Sequence, residues 1–145
     1  MKLFRRVKTI RSKDGKLHFE RFAILESDRF SIYVHRIYES DKDEYLHSHP
    51  WNFLGIILKG SYVERYKKEG EHGFWVESRT LKPFSISKGD LNYYHKIEHI
   101  VNGPVTTLFF VGRKYHTWFY DIAGRPVEHD VYRKRKRKSS IDVND

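Results

Sequence analysis

The 145-residue sequence has no cysteine. Disulfides, thiolate metal sites and cysteine nucleophiles are thereby excluded, so any metal must be held by imidazole, carboxylate or amide groups. The lack of disulfides suits a reducing interior. Proline (4) and glycine (9) are few, and no internal repeat is present. No stretch approaches the ~18 apolar residues of a transmembrane helix, and the first residues, MKLFRRVKTIRSKDGK, contain no apolar run that would serve as a secretory segment. The expected setting is therefore the cytoplasm. Also missing are a Ser/His/Asp arrangement, a phosphate-cradling glycine loop and paired carboxylates of distinctive spacing. Hydrolase and nucleotide-loop chemistries consequently have no support.

Aromatic residues, by contrast, are abundant: 16%, with 10 Tyr, 10 Phe and 3 Trp. So many rings indicate a folded, β-rich chain rather than a disordered one. The length suits one domain. Apolar and polar residues alternate in short runs such as Leu17–Phe19–Arg21, Tyr62–Glu64–Tyr66 and Val105–Thr107–Phe109, the pattern of half-buried strands. Strands are expected at 16–25, 30–38, 44–49, 53–59, 61–67, 73–78, 80–86, 91–97, 104–111 and 115–121. Turn residues separate them, among them Asp14-Gly15, Lys88-Gly89 and Asn102-Gly103-Pro104. Strands 53–59 and 61–67 read as a tight hairpin turning at Gly60. Many short strands at near-regular spacing predict an all-β fold, a small antiparallel β-barrel or jelly roll.

The net charge is +9, of which the run RKRKRK at 133–138 supplies six, leaving three for the rest. The expected organisation is a β-barrel domain at 1–132 followed by a basic, flexible tail at 133–145.

The most informative stretch is Tyr45-Leu46-His47-Ser48-His49-Pro50-Trp51-Asn52-Phe53. Residues i and i+2 of a strand share a face, so His47 and His49 project side by side and can offer adjacent lone pairs to one cation. A third ligand must come from elsewhere, and His95, in the later strand 91–97, is the best candidate. The alternative remains open, since a chain with nine histidines yields one H-x-H by chance. His18, His72, His99, His116 and His129 read as surface or packing residues. His35 could reach the interior but reads as structural.

These residues resemble the cupin superfamily. HSHPW followed by FLGIILKGSYVE is similar to the first cupin motif, in which two histidines precede a glycine-closed hairpin. KGDLNYYHKIEHIVNGPVTTLFFVGRK is similar to the second, which leads to the third histidine. More narrowly, HSHPWNF, HKIE, GPVTTLFFVGRK and Trp118-Phe119-Tyr120 resemble a group of small bacterial and phage cupins, over about residues 30–121. The sequence departs from the family where its usual glutamate ligand would stand, at Phe53 or Leu54, and carries extra residues between Gly89 and His95. What the resemblance then implies is an open three-histidine site similar to that of the thiol dioxygenases. Asn52 would complete it if Pro50 introduces a bulge, because strict alternation turns Asn52 away. Glu64 and Glu98 are further candidate oxygen donors.

By resemblance the metal is Fe2+; ligand type alone leaves Zn2+, Mn2+, Ni2+ and Cu2+ open. Tyr93, Tyr94, Tyr62 and Trp51 would wall a pocket for a small-molecule substrate, with Tyr93 a catalytic candidate. Arg113 would fix an anionic substrate group through its planar fork of donors. The reading that follows is a metal-dependent enzyme, foremost a non-haem iron oxygenase. Its rival is a non-catalytic binding module that contacts nucleic acid through residues 133–138, a run that also has the composition of a nuclear-localisation or anionic-membrane segment. A sugar-nucleotide isomerase or epimerase ranks lower, since no acid/base pair stands out. Cupin resemblance further implies pairing through sheet edges as a homodimer.

Overall fold

Two-residue alternation governs the strands directly. In β3 (Phe30–Ile37), Ser31, Tyr33, His35 and Ile37 are buried while their neighbours face outward. The computed structural model describes residues 4–142. In chain order the other strands are β1 (Arg5–Arg11), β2 (Leu17–Leu25), β4 (Phe53–Gly70), β5 (Gly73–Leu81), β6 (Ile86–Gly89), β7 (His95–Gly112), β8 (Phe119–Ile122) and β9 (Arg125–Glu128), followed by helix α1 (His129–Asp142). All pairings between strands are antiparallel. One sheet runs β1-β2-β3-β7-β4-β5 with β6 attached to β4, and β8-β9 forms a separate hairpin. The all-β architecture is as the strand patterning predicts, and no helix among the described residues is long and apolar enough to cross a membrane.

Several expected boundaries differ. Gly60 is not a hairpin turn: residues 53–70 form one 18-residue strand, β4. The φ of Gly60 is +81°, and a Cβ there would lie 2.5 Å from the Asn102 carbonyl oxygen and 2.9 Å from that of Pro104. Only glycine fits so close to β7 in a left-handed conformation. The register between β4 and β7 slips around this point, as in a β-bulge. Before it Phe53, Gly55 and Ile57 are buried; after it Gly60, Tyr62 and Glu64 are. The bulge thus switches the inward phase from odd to even positions. Likewise 91–97 and 104–111 are not separate strands but largely one, β7, with Asn102-Gly103-Pro104 inside it rather than at a turn. The expected strand at 44–49 is reduced to isolated bridges from His47 to His95 and Tyr120, and β1 was not among the expected strands.

At the C-terminus the expected flexible tail is replaced as far as residue 142 by α1; residues 143–145 lie outside the described residues. The helix is anchored through Tyr132, whose ring lies 4.4 Å from Tyr120 and 5.8 Å from Tyr45. Two apolar clusters form the core. Ile37, Ile57, Tyr62, Leu81 and Val105 make one, and Ala23, Tyr33, Phe53 and Val111 the other.

Candidate metal centre

His47 and His49 lie on the segment before β4, and His95 is the first residue of β7. Backbone bonds stitch the segment on both sides. His47 and His95 exchange N–H···O bonds of 2.9 and 3.0 Å, while Ser48 donates to Phe119 and Leu46 accepts from Asp121, both at 2.8 Å. The three imidazoles form a near-equilateral triangle, with centroids 5.4 Å (His47–His49), 5.1 Å (His47–His95) and 5.0 Å (His49–His95) apart. One ring nitrogen of each lies within 4.8 Å of the others. The Nε2 atoms of His49 and His95 are 2.8 Å apart. The expected trio is brought together.

Behind it stands a carboxylate. Glu64 is fully buried (0% exposed). Its Oε1 accepts from His95 Nδ1 and its Oε2 from Arg79 Nε, each at 2.7 Å. Burial works against its charge, but the His95 and Arg79 contacts outweigh burial and hold its carboxyl below the usual carboxylate range. An ionised carboxylate only accepts, so His95 Nδ1 carries the proton of that bond and its Nε2 is the atom turned toward the other histidines. Glu64, a candidate oxygen donor from sequence, therefore orients the His95 ring through Nδ1.

Burial also lowers the basicity of the other two imidazoles. His47 falls to about 4, through desolvation first and the proximity of His95 second. His49 falls well below its ordinary value for the same two reasons, with His47 adding to them. At neutral pH both are unprotonated, the state a metal ligand requires. Three imidazole nitrogens suit a borderline divalent cation and leave coordination positions open.

The trio opens on a cavity of about 230 Å³. Phe53, Ile57, Tyr62 and Phe109 are among its walls, together with Ser87, Thr107, Arg21 and His35. His47 and His49 also line a wider outer vestibule with Trp51, Trp118 and Tyr120. Tyr62 and Trp51 thus stand where the sequence reading puts them.

Other candidates do not. Asn52 is exposed, its backbone oxygen accepts from Gly112, and it lines neither chamber, so no bulge at Pro50 turns it inward. Arg113 is exposed too, lies over the Tyr115 ring at 5.4 Å, and is likewise outside both chambers. Tyr93 packs against His95 with centroids 5.1 Å apart, but its hydroxyl meets Arg79 Nη2 at 3.2 Å, outside the cavity. Tyr94 is under Lys67, 5.5 Å from its ammonium. Glu98 is exposed and pairs with Arg65 at 3.8 Å.

Sequence reasoning missed the inward role of Arg21; His35, which it allowed to reach the interior, is set beside Arg21 by the pairing Arg21↔His35 between β2 and β3. The signal was present: continuing the alternation Leu17–Phe19–Arg21 puts Arg21 on the face of Phe19, which lines the same cavity.

No family model matches the chain, and no curated protein sequence does. Solved structures do. A candidate mannose-6-phosphate isomerase from Ralstonia eutropha is similar, at TM-score 0.55 and 14% identity over 68% of this chain and 88% of that one. KdgF from Halomonas sp. gives TM-score 0.50 and 16% identity over 79% and 96%. HppE, solved with Fe(II), gives 0.53 and 11% over 74% of this chain, which spans 56% of HppE. These structures are cupins. The fold is that of the cupin superfamily. At such identities the likeness carries the cupin architecture, and the chemistry has to be argued from the residues above.

Proposed function

We propose that the chain is a metal-dependent cupin enzyme for a small molecule, with a divalent ion held by His47, His49 and His95. The observation that carries this is the convergence of three imidazoles, one oriented by a buried carboxylate. Iron(II) is the first choice, because HppE shares the fold and was solved with it, and an oxygenase is the reaction class that follows. Bound there, the ion would supply Lewis acidity and, as iron(II), the redox chemistry an oxygenase needs. The chain's own contribution is positional. Glu64 keeps the proton on His95 Nδ1, and Phe53, Ile57 and Phe109 line a largely apolar chamber that limits water beside the site.

Elemental analysis of protein purified without an affinity-tag metal column tests the reading. Stoichiometric iron, zinc, manganese or nickel is expected, and its loss in His47→Ala and His95→Ala. Protein that carries no metal and gains no thermal stability from any of these ions overturns it. A homodimer paired through the sheet edges, β1 or β5, and a cytoplasmic setting belong to the same proposal.

A second reading rests on a separate observation: all six cationic residues of 133–138 are exposed on α1. A polyanion, nucleic acid included, would bind there through phosphate contacts and independently of the metal.

A further inference from the structure

Two cations, the half-buried Arg21 and the more exposed Lys8, line the cavity beside the histidines, and neither has a carboxylate partner among the described residues. Lys8 and Arg21 are directly paired across β1 and β2, and both line the cavity and the vestibule. Arg21 donates its Nε–H to His35 Nε2 at 3.0 Å and lies over the Tyr33 ring at 4.8 Å. His35 is itself buried, between Phe109 (4.6 Å) and Phe19 (4.9 Å). A buried acceptor and a ring face therefore fix the guanidinium in place. Among the described residues neither Arg21 nor Lys8 forms an ion pair, and no protein acceptor meets the Arg21 Nη groups. An arginine drawn this far from water is usually paired.

The inner cavity sets Glu39 and Asp41 against Lys8 and Arg21, but the vestibule is predominantly cationic. Arg11, Lys42, Lys114 and Arg133 join Lys8 and Arg21 along it, against only Asp41 and Asp43. Both of those carboxylates are engaged, Asp41 with the Ile97 N–H and Asp43 with the Tyr120 hydroxyl, each at 2.7 Å. Charge of one sign lining a low-dielectric entry concentrates oppositely charged ligands.

The cavity also holds two orphan hydroxyls. Ser87 and Thr107 are each 4% exposed, and both hydroxyls lack a hydrogen-bond partner. They sit on strands β6 and β7 among Phe53, Gly55 and Phe109. Unmade hydrogen bonds at buried groups are costly and point to a missing polar partner.

We propose that the cavity takes a small hydroxylated organic anion: its anionic group docks on Arg21 and Lys8, and its hydroxyl reaches Ser87 and Thr107. This deepens the metal-enzyme reading, since it names the molecule that would share the cavity with the ion. Carboxylate and phosphonate head groups satisfy the Arg21 fork equally in kind, through paired N–H donors.

The test uses metal-free full-length protein and three probes: 3-hydroxybutyrate, butyrate and the neutral 3-hydroxybutanamide. Binding is followed by NMR at the Arg21 Nε–H and the Thr107 methyl group. The hydroxy acid should shift both signals. It should bind more tightly than butyrate, a preference that Thr107→Val removes, and the amide should bind at least about tenfold more weakly, a factor worth ~1.4 kcal/mol. Arg21→Gln, which keeps an amide donor for His35, should weaken the hydroxy acid to a similar degree. Lys8→Met, at an exposed strand position, should do so without touching the core. Equal binding of acid and amide, unchanged binding in both variants, or no shift with any probe overturns the proposal. Because metal is absent throughout, anion binding can stand while elemental analysis refutes the metal, and the reverse.

Discussion

Glu64 bridges His95 and Arg79, accepting from each at 2.7 Å with a different carboxylate oxygen. The bridge connects the candidate metal site to a cation at the partly exposed face of the sheet. It holds the His95 ring by its Nδ1 side, so that Nε2 meets His49 Nε2 at 2.8 Å. Where the family glutamate would stand, Phe53 instead packs its ring 5.1 Å from His49 and 5.7 Å from His95.

Replacing Glu64 by Gln keeps the shape and removes the charge. The amide no longer forces the proton onto His95 Nδ1, and metal affinity should fall about 10–100-fold, the usual effect of losing such an outer partner. Glu64→Ala should in addition cost about 1–3 kcal/mol of stability by stranding buried donors. Chelator competition and urea denaturation separate the two effects. Unchanged metal affinity in Glu64→Gln would remove the orienting role.

Protons should compete with folding in the metal-free protein. His35, His47 and His49 all have basicities lowered chiefly by burial, His47 to about 4. In the unfolded chain each titrates near ~6.5. Below that pH the unfolded chain takes up protons that the folded chain refuses, so stability falls as pH falls. The contribution is complete above ~7 and declines from ~6.5 toward 4. Urea midpoints at pH 7.5, 6.5 and 5.5 should drop in that order, most between the last two. Equal midpoints would contradict the burial of these imidazoles.

The Gly60 bulge can be attacked directly. Gly60→Ala places a Cβ against two backbone oxygens of β7 in a left-handed conformation, at a cost of about 1–3 kcal/mol. Because residues after Gly60 owe their inward phase to the bulge, Glu64 should lose its place as well. The expected signature is a coupled loss of stability and metal affinity. Ser61→Ala, the neighbouring control, should change neither appreciably.

The basic helix should act separately. Changing all six cations of 133–138 to glutamine should reduce the salt slope of polyanion binding by up to about 5, at roughly 0.9 per phosphate contact. Metal content should be unaffected, and a polyanion affinity that persists unchanged would place the contact elsewhere.

The sequence carried the strands and the three histidines because both are written in short-range patterns: alternation, and H-x-H with a third histidine in an inward-facing strand. It carried less where long-range contacts decide. Gly60 reads as a turn by its local chemistry, yet β7 lies so close that the same glycine serves as a bulge within a continuous strand. Asn52 depended on a distortion at Pro50 that the structure does not make. Arg113 follows an apolar strand but is exposed, whereas Arg21, embedded in an alternating run, is the arginine that faces the cavity. The basic run reads as unstructured from its charge, but Tyr132 on Tyr120 and Tyr45 docks the start of the helix that contains it.

The segment of His47 and His49 has two borders, β7 on one side and β8 on the other, and the second comes late in the chain. Ser48 and its partner Phe119 are 71 residues apart, and Asp121 closes the same edge onto Leu46. A nascent chain leaving the ribosome thus presents the first two histidines long before it contains what holds them. A chain that stops short of β8 would carry both histidines without the outer border of their segment.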